Sequence, residues 1–293
     1  MGESPILRND NRRGALWMIA SMAGFALEDA GIKLLAPQMS LGLIVLCEGL
    51  LGAVWFGLAA RRAGRVPLPL SAVSRTLVVR SGFELTGRLF YALAVVFAPI
   101  SLVSAILQAT PLVVVPVAAR MFGETVGPRR WAVILGGFVG VLIVLRPGLS
   151  GISLTSLLAL VGMLGFAGRD LATRASPPAL SNDQLGVAGF GVLALSGGLM
   201  LAVTQRLTLP GASGWALFAG LSMVGIFGYD ALTRAMRTGQ VGAVTPFRYS
   251  RLIFALVLAV TLFGERPDLR MVLGSLLIVG CGLVLLVPRR RAR

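Results

Sequence analysis

The chain has 293 residues, of which 56% are hydrophobic and 13% are charged, and its mean hydropathy is +0.85. A water-soluble domain of this length needs more polar surface, so the composition predicts a polytopic membrane protein. The net charge of +15 would suggest nucleic-acid binding in a soluble protein. Here the arginines cluster in short loops and tails, as the positive-inside rule expects, and nucleic acid is not an expected partner.

The residue types also limit the chemistry. Cys47 and Cys281 both lie within apolar runs, so no disulfide framework is indicated, and the chain has no histidine. No nucleotide-binding loop is present, which argues against ATP-driven transport by this chain alone. We therefore expect no metal and no cofactor. The first apolar run is too long for the core of a removable signal peptide and is interpreted as a membrane span.

Ten apolar runs of membrane-spanning length follow one another along the chain, separated by short polar breaks. Several breaks contain the Pro, Gly or Asn residues that end helices. The predicted helices are 15–36, 41–60, 75–97, 101–121, 129–146, 152–174, 183–204, 213–235, 242–264 and 270–288. Because backbone polar groups must be satisfied within lipid, the sequence predicts an all-α bundle of ten transmembrane helices.

The distribution of basic residues predicts the orientation. If the chain starts inside, 19 Lys and Arg residues fall on the inner side, five fall on the outer side, and three lie deeper. This bias places both termini in the cytoplasm. The predicted partners in this setting are the lipid bilayer and a small-molecule substrate.

An internal repeat organises the chain. The stretch from Met22 to Lys33 recurs 141 positions later, from Met163 to Arg174, and Gly123-Glu124 recurs as Gly264-Glu265. Helices one to five therefore correspond to helices six to ten. Because five is odd, the second copy enters the membrane from the opposite side, as in many secondary transporters.

The repeat sets the predicted domain boundaries. They are a cytoplasmic tail 1–14, a first five-helix repeat 15–147, a second five-helix repeat 152–288 and a basic cytoplasmic tail 289–293. In helices three and eight, Ala92-Leu93 and Ala231-Leu232 match at a shift of 139 residues, which suggests a small insertion.

These features resemble the EamA branch of the drug/metabolite transporter superfamily. The resemblance rests on ten spans, the Gly-Glu turn after helices four and nine, and the Ala-Leu pairs in helices three and eight. It implies a central cavity lined by helices one, three, four, six, eight and nine. It also implies a carrier of metabolites, with the bacterial aromatic amino-acid exporters looking most similar. Glu48 departs from the basic or neutral residue expected in helix two.

Acidic residues at membrane depth are costly and mark functional positions. Four of them have a basic residue one helical turn onward: Asp29 with Lys33, Glu84 with Arg88, Asp170 with Arg174, and Asp230 with Arg234. This spacing places both charges on one helix face. In helices one and six, Asp29–Lys33 and Asp170–Arg174 are predicted to form two gates, near the outer and inner ends respectively. The alternative is that pairs near helix ends only reach the membrane surface.

The predicted substrate cavity draws on helices three, four, eight and nine. Glu84 and Arg88 lie too deep for a glutamate to reach the surface, so they are the first candidates for substrate contact. A cavity-facing Arg251 can hold a carboxylate with two hydrogen bonds, or it can instead reach the headgroups. The remaining candidates are Tyr91, Gln108, Asp230 and Tyr249. For Gln108, simple packing is an equal alternative.

Three classes of function follow. The first is a secondary transporter that exports small zwitterionic metabolites, amino acids before others, with a drug or S-adenosylmethionine carrier as the alternative. The second is a membrane enzyme, which the sequence argues against because it has no nucleophile or metal constellation. The third is a sensor or scaffold, which would not need charges at matching places in both halves. The expected assembly is a monomer or a weak homodimer, and coupling to protons is left open.

Overall fold

The fold was examined in a computed structural model, which describes residues 5–69, 73–97, 106–145, 154–264 and 269–286. Throughout these ranges the regular elements are helical, which confirms the all-α prediction for this part of the chain. The predicted basic tail 289–293, Pro147 and Glu265 lie outside the described residues.

Within the described ranges, the helices follow the order predicted from the apolar runs. They are α1 (Pro5–Leu35), α2 (Leu41–Arg62), α3 (Arg75–Phe97), α4 (Thr110–Phe122), α5 (Pro128–Leu145), α6 (Leu154–Ala175), α7 (Asn182–Thr204), α8 (Ala212–Arg237), α9 (Val241–Val244, Thr245–Tyr249 and Ser250–Phe263) and α10 (Leu269–Leu286). Six helices in the described ranges are long and apolar enough to cross a membrane: those within α1, α2, α6, α7, α8 and α9. The chain is therefore a multi-pass membrane protein.

The first helix differs from its prediction. It begins at Pro5 and not at residue 15, so much of the predicted tail continues α1. Asn11 lies in this extension, and its side-chain oxygen accepts a hydrogen bond from the backbone N–H of Gln240 at 2.7 Å. The polar residues before the apolar run are thus stabilised by contacts with the start of α9. Hydropathy alone does not detect such contacts.

The two Gly-Glu turns end their helices in the same way. Gly123 closes α4 and Gly264 closes α9, and both glycines have φ of 65°. This left-handed conformation is the common C-terminal cap of a helix and favours glycine. The repeat therefore preserves a backbone conformation.

The helices pack across the two repeats. The main pairs are α1 with α8, α2 with α7, α3 with α6 and α5 with α10. Exchanging the two repeats maps α1–α8 onto α6–α3 and leaves α2–α7 and α5–α10 unchanged. Smaller contacts follow the same exchange, because α1 also touches α9 and α6 touches α4. This is the two-repeat architecture that the sequence predicts.

Glycines form the crossing points of the two equivalent pairs. A Cβ on Gly24 would lie 3.1 Å from the Cα of Gly228, and one on Gly165 would lie 2.7 Å from the Cα of Gly87. Small residues let helix backbones approach this closely in membranes. Gly24 and Gly165 differ by 141 positions, and so do Gly87 and Gly228. The packing of α3 and α8 thus follows the same shift as α1 and α6, and not the 139 suggested by the Ala-Leu pairs.

A buried apolar cluster closes one end of the bundle, which we call the terminal end. The terminal end contains the start of α1 and the last residues of α10. There, Arg129 donates a hydrogen bond to the carbonyl oxygen of Val284. The cluster joins α1, α4, α6, α8 and α9 through Met18, Met22, Val114, Ala118, Leu171, Leu232, Met236 and Phe247, among others. The opposite half of α9, Ser250–Phe263, has no buried residue. α9 is therefore buried at the terminal end and only partly buried along its second half.

Candidate functional site

An ion pair between the two repeats involves the half of α9 that has no buried residue. Asp29 on α1 accepts hydrogen bonds from Arg251 on α9, at 3.0 Å from Nε and 2.5 Å from Nη2. The side chains remain 51% and 35% exposed, respectively. Exposed charges within membrane-spanning helices need polar surroundings, because contact with lipid is costly. We therefore expect water and not lipid beside this pair.

Aromatic side chains accompany this pair. The Arg251 guanidinium lies 5.5 Å from the ring centroid of Phe25, within the range of a cation–π contact. Tyr91 is partly buried on α3 and packs edge-to-face on Phe166, with ring centroids 6.0 Å apart. Lys33, the predicted gate partner of Asp29, lies 4.2 Å from the ring centroid of Phe263 at the far end of α9. Asp29 thus binds Arg251 on α9, and Lys33 lies one helical turn further along α1.

Glu84 lies at the centre of a buried charge network. Its side chain is fully buried, with Arg169 at 3.2 Å, Arg80 at 3.4 Å and Arg88 at 4.0 Å. The Tyr229 hydroxyl donates a hydrogen bond to Glu84 Oε2 at 3.0 Å. The cavity beside Arg80, Arg169 and Tyr229 measures about 10 Å³, which is about the size of one water molecule. Glu84 does not face open space in this conformation, and its contact with substrate stays a prediction.

The network continues to α9 through the predicted gate residue Asp170. Arg169 Nε lies 2.9 Å from Asp170 Oδ1, and Arg248 binds the other oxygen, Oδ2. Arg248 stands one helical turn from Arg251. The repeat-related residues Asp29 and Asp170 therefore both bind α9, each through a different arginine. This arrangement ties both repeats to one helix.

Arg174, the predicted partner of Asp170, instead faces Glu124. Its Nη2 lies 3.8 Å from Glu124 Oε1. The Glu124 carboxylate also accepts the backbone N–H groups of Val241 at 3.0 Å and Gly242 at 3.1 Å. These are unpaired donors at the start of a helix, where a negative charge is stabilising. The Gly-Glu turn after α4 therefore caps α9 at the terminal end.

The other predicted site residues lie apart from these contacts. Asp230 pairs with Arg234 at 2.7 Å, as its spacing predicts, and the Arg234 guanidinium lies 5.2 Å from the centroid of Trp17. Tyr249 is buried and donates a hydrogen bond to the carbonyl of Ile134 on α5 at 3.1 Å, so it does not line the space beside Asp29. Gln108 is partly buried just before α4.

Two arginines that complete the buried network were not among the predicted site residues. The orientation prediction counts Arg80 and Arg169 among the 19 basic residues of the inner side, yet they are 1% and 7% exposed. Two signals were available in the sequence. Arg80 stands four residues before Glu84, and Arg169 is the repeat mate of Glu28 beside the matched aspartates. Within the described residues, no group of three or more Cys, Asp or Glu side chains is placed to hold a metal.

Fold and charge distribution together define a membrane protein built from two repeats with ion pairs at their interface. The chain belongs to the EamA-like transporter family, which matches residues 12–146 and 149–287. This match confirms the resemblance to the drug/metabolite transporter superfamily. The protein is therefore a transporter by family.

Named relatives cover most of the chain. A riboflavin transporter of Rhizobium johnstonii is 26% identical over 93% of this chain and 90% of its own length. A pseudopaline exporter of Pseudomonas aeruginosa is 23% identical over 92% and 94%. An S-adenosylmethionine uptake transporter of Rickettsia prowazekii is 21% identical over 73% and 72%. These names give no support to the resemblance to amino-acid exporters in particular.

A solved crystal structure shares the fold. It superposes with a TM-score of 0.71 at 21% sequence identity, covering 91% of this chain and 96% of the other. This similarity shows the helical architecture and carries no information about the substrate.

Proposed function

We propose that this protein is a secondary transporter that exports a small metabolite carrying both a positive and a negative group. Amino acids, aromatic and other neutral ones, are the first candidates. Transport crosses the bacterial inner membrane, with ten spans, both termini in the cytoplasm and the two repeats inverted. The expected assembly is a monomer or a weak homodimer. The family and the pairing of helices across the repeats support this proposal.

The observation that carries the proposal is the accessible Asp29–Arg251 pair. A guanidinium can bind a substrate carboxylate with two hydrogen bonds, and a carboxylate can bind an ammonium group. A zwitterionic substrate can therefore replace the internal ion pair with two of its own. Phe25 and Tyr91 are the nearby aromatic residues that could contact an apolar substrate side chain. Arg88, whose side chain is 28% exposed, is a further candidate contact.

The unequal burial of the two halves of α9 supports alternating access. At the terminal end, the apolar cluster and the Glu124 cap join helices of both repeats. At the opposite end, Ser250–Phe263 of α9 has no buried residue. We interpret this as a conformation closed toward the cytoplasm and open outward. The inverted repeats allow the opposite conformation to form by exchanging the packing of the two halves.

A riboflavin or S-adenosylmethionine carrier is the second candidate. The full-length relative named for riboflavin and the shorter match named for S-adenosylmethionine favour it. S-adenosylmethionine also carries an amino-acid group, so the same ion pair would bind it. Riboflavin has no such group and would depend more on aromatic contacts.

Ligand-induced thermal stabilisation of the purified protein distinguishes these substrates. A ligand that binds only the folded state raises the Tm in proportion to the logarithm of its concentration. The panel contains phenylalanine, tyrosine, leucine, riboflavin and S-adenosylmethionine. Stabilisation by an amino acid supports the first candidate, and stabilisation by riboflavin or S-adenosylmethionine alone supports the second. A panel without any stabilising compound contradicts both.

A further inference from the structure

Two glutamates outside the ion-pair networks meet in the membrane region. Glu28 on α1 and Glu48 on α2 are 9% and 4% exposed, and their carboxyl groups converge on the same point beside α8. Both carboxyl groups pack against Gly225 of α8. A Cβ at Gly225 would lie 2.6 Å from Glu48 Oε1 and 3.0 Å from Glu28 Oε2. The absence of a side chain at Gly225 therefore makes room for the two carboxyl groups.

The repeat provides an internal comparison for this pair. At the shift of 141, Glu48 corresponds to Gly189, Gly225 to Glu84, and Glu28 to Arg169. The contact of Glu48 with Gly225 therefore has its counterpart in the contact of Glu84 with Gly189, where a Cβ would lie 3.2 Å from Glu84 Oε2. The two halves contain the same contact, with the glutamate supplied by the opposite helix.

The two related positions differ in the partner of the glutamate. Arg169 forms a salt bridge with Glu84 at 3.2 Å. Glu28, the repeat mate of Arg169, instead places a second carboxyl group beside Glu48. Among the described residues, no cation forms a salt bridge with Glu28 or Glu48. Two buried carboxyl groups this close together are unfavourable when both are ionised, because like charges repel and burial penalises each charge. We therefore expect a proton to take the place that the arginine has in the other half.

The surroundings contain few charges that could replace this proton. The charged and titratable groups that act on the pair are Asp29 on α1, Arg88 and Tyr91 on α3, and Arg251 on α9. From α7, which packs on α2, the sequence offers no titratable side chain beyond Asp183 at its start. On α8, Ser222 lies one turn before Gly225. It is fully buried, and its hydroxyl has no hydrogen-bond partner in the described structure.

We propose that Glu28 and Glu48 form a proton-binding site that couples transport to the proton gradient. The coupling rests on the proposed transport function, but the site itself does not. Glu28 precedes Asp29 on α1, so occupancy of the proton site and of the Asp29–Arg251 pair both bias the position of the same helix. Binding forms one O–H bond at a glutamate oxygen with a proton from water. Release returns that proton to water and leaves the carboxylate.

Infrared spectroscopy tests the proton site without any substrate. Purified full-length protein at neutral pH should show a carboxylic-acid C=O band that shifts in D₂O. Glu28→Gln and Glu48→Gln should each remove it, and the control Asp183→Asn, at the partly exposed start of α7, should leave it unchanged. If the band is absent, or if it persists in the double Gln variant, the proton site is wrong.

Transport in proteoliposomes tests the coupling. The probe is the panel compound that gives the largest thermal stabilisation, in radiolabelled form. In the wild type, an imposed pH gradient should drive its accumulation, and exchange without a gradient should also occur. Glu48→Gln should keep exchange and lose the pH-driven component. Exchange that is insensitive to the gradient in the wild type overturns the coupling while leaving the proposed function intact. An intact infrared band without any exchange overturns the proposed function and leaves the proton site standing.

Discussion

Asp29 of the first repeat and Arg251 of the second form an ion pair in which Nε and Nη2 lie 3.0 and 2.5 Å from one carboxylate oxygen. The pair connects α1 with the part of α9 that has no buried residue. Because both side chains remain partly exposed, a charged solute can compete for each partner. This relationship links the packing of the two repeats to the binding of a substrate.

Removing either member of the pair should weaken substrate binding. Asp29→Asn and Arg251→Gln each remove a charge-assisted contact, typically worth about 1.5–3 kcal/mol, so KM should rise about ten- to hundredfold. Arg251→Lys should have a smaller effect, because it keeps the charge and loses the two-point geometry. Asp183→Asn is the matched control. Equal KM values in all four variants would exclude the pair from the site.

The Glu124 cap should hold the terminal end closed. Glu124→Gln removes the negative charge that accepts the N–H groups of Val241 and Gly242, at a cost of about 1 kcal/mol. The ratio of the closed to the open conformation should then fall roughly fivefold.

Thiol labelling measures this shift. Met22, which is 3% exposed in the terminal-end cluster, is replaced by Cys in a background where Cys47 and Cys281 are Ala. A maleimide that cannot cross the membrane should react faster in the Glu124→Gln protein than in the parent. Unchanged labelling rates would show that the cap does not control access.

The glycine crossing points should tolerate no side chain. A Cβ at Gly165 would lie 2.5 Å from the backbone nitrogen of Gly87, and overpacking of this kind costs about 1–3 kcal/mol. Gly165→Ala should therefore lower the Tm in detergent. Gly191→Ala, at a helical glycine with no heavy atom within 4 Å, should leave it unchanged or raise it slightly. Similar Tm values for both variants would contradict the close approach of α3 and α6.

Glu84 and its repeat counterpart site should respond differently to neutralisation. Glu84→Gln leaves the buried cations Arg80 and Arg169 without their shared anion, and breaking such a pair typically costs about 3–5 kcal/mol. Glu48→Gln replaces a group that already shares a proton, so its effect on stability should be small. Thermal unfolding of both variants makes the comparison. A larger loss of stability in Glu48→Gln would contradict the assignment of the two sites.

The sequence predicts the elements of this fold better than their contacts. Hydropathy locates the helices of the described ranges, and the shift of 141 identifies which ones correspond. The spacing of four residues also identifies Glu84–Arg88 and Asp230–Arg234, because such pairs form within one helix.

Contacts between helices require the packing itself. Asp170 binds Arg248, and Arg174 faces Glu124, although Asp170 and Arg174 have the same favourable spacing. The four-residue spacing considers a single helix, so it does not show when another helix places a cation closer to the carboxylate. The pairing of Glu28 with Glu48 depends in the same way on α1 and α2 meeting at Gly225.

Counterflow in proteoliposomes tests the central claim of alternating access most directly. Vesicles containing the full-length protein are loaded with unlabelled panel compound and diluted into a trace of the same compound in labelled form. We predict transient accumulation of label, reduced by Asp29→Asn and Arg251→Gln and unchanged by Asp183→Asn. If correctly folded wild-type protein accumulates none of the five compounds above empty vesicles, the proposed function is wrong.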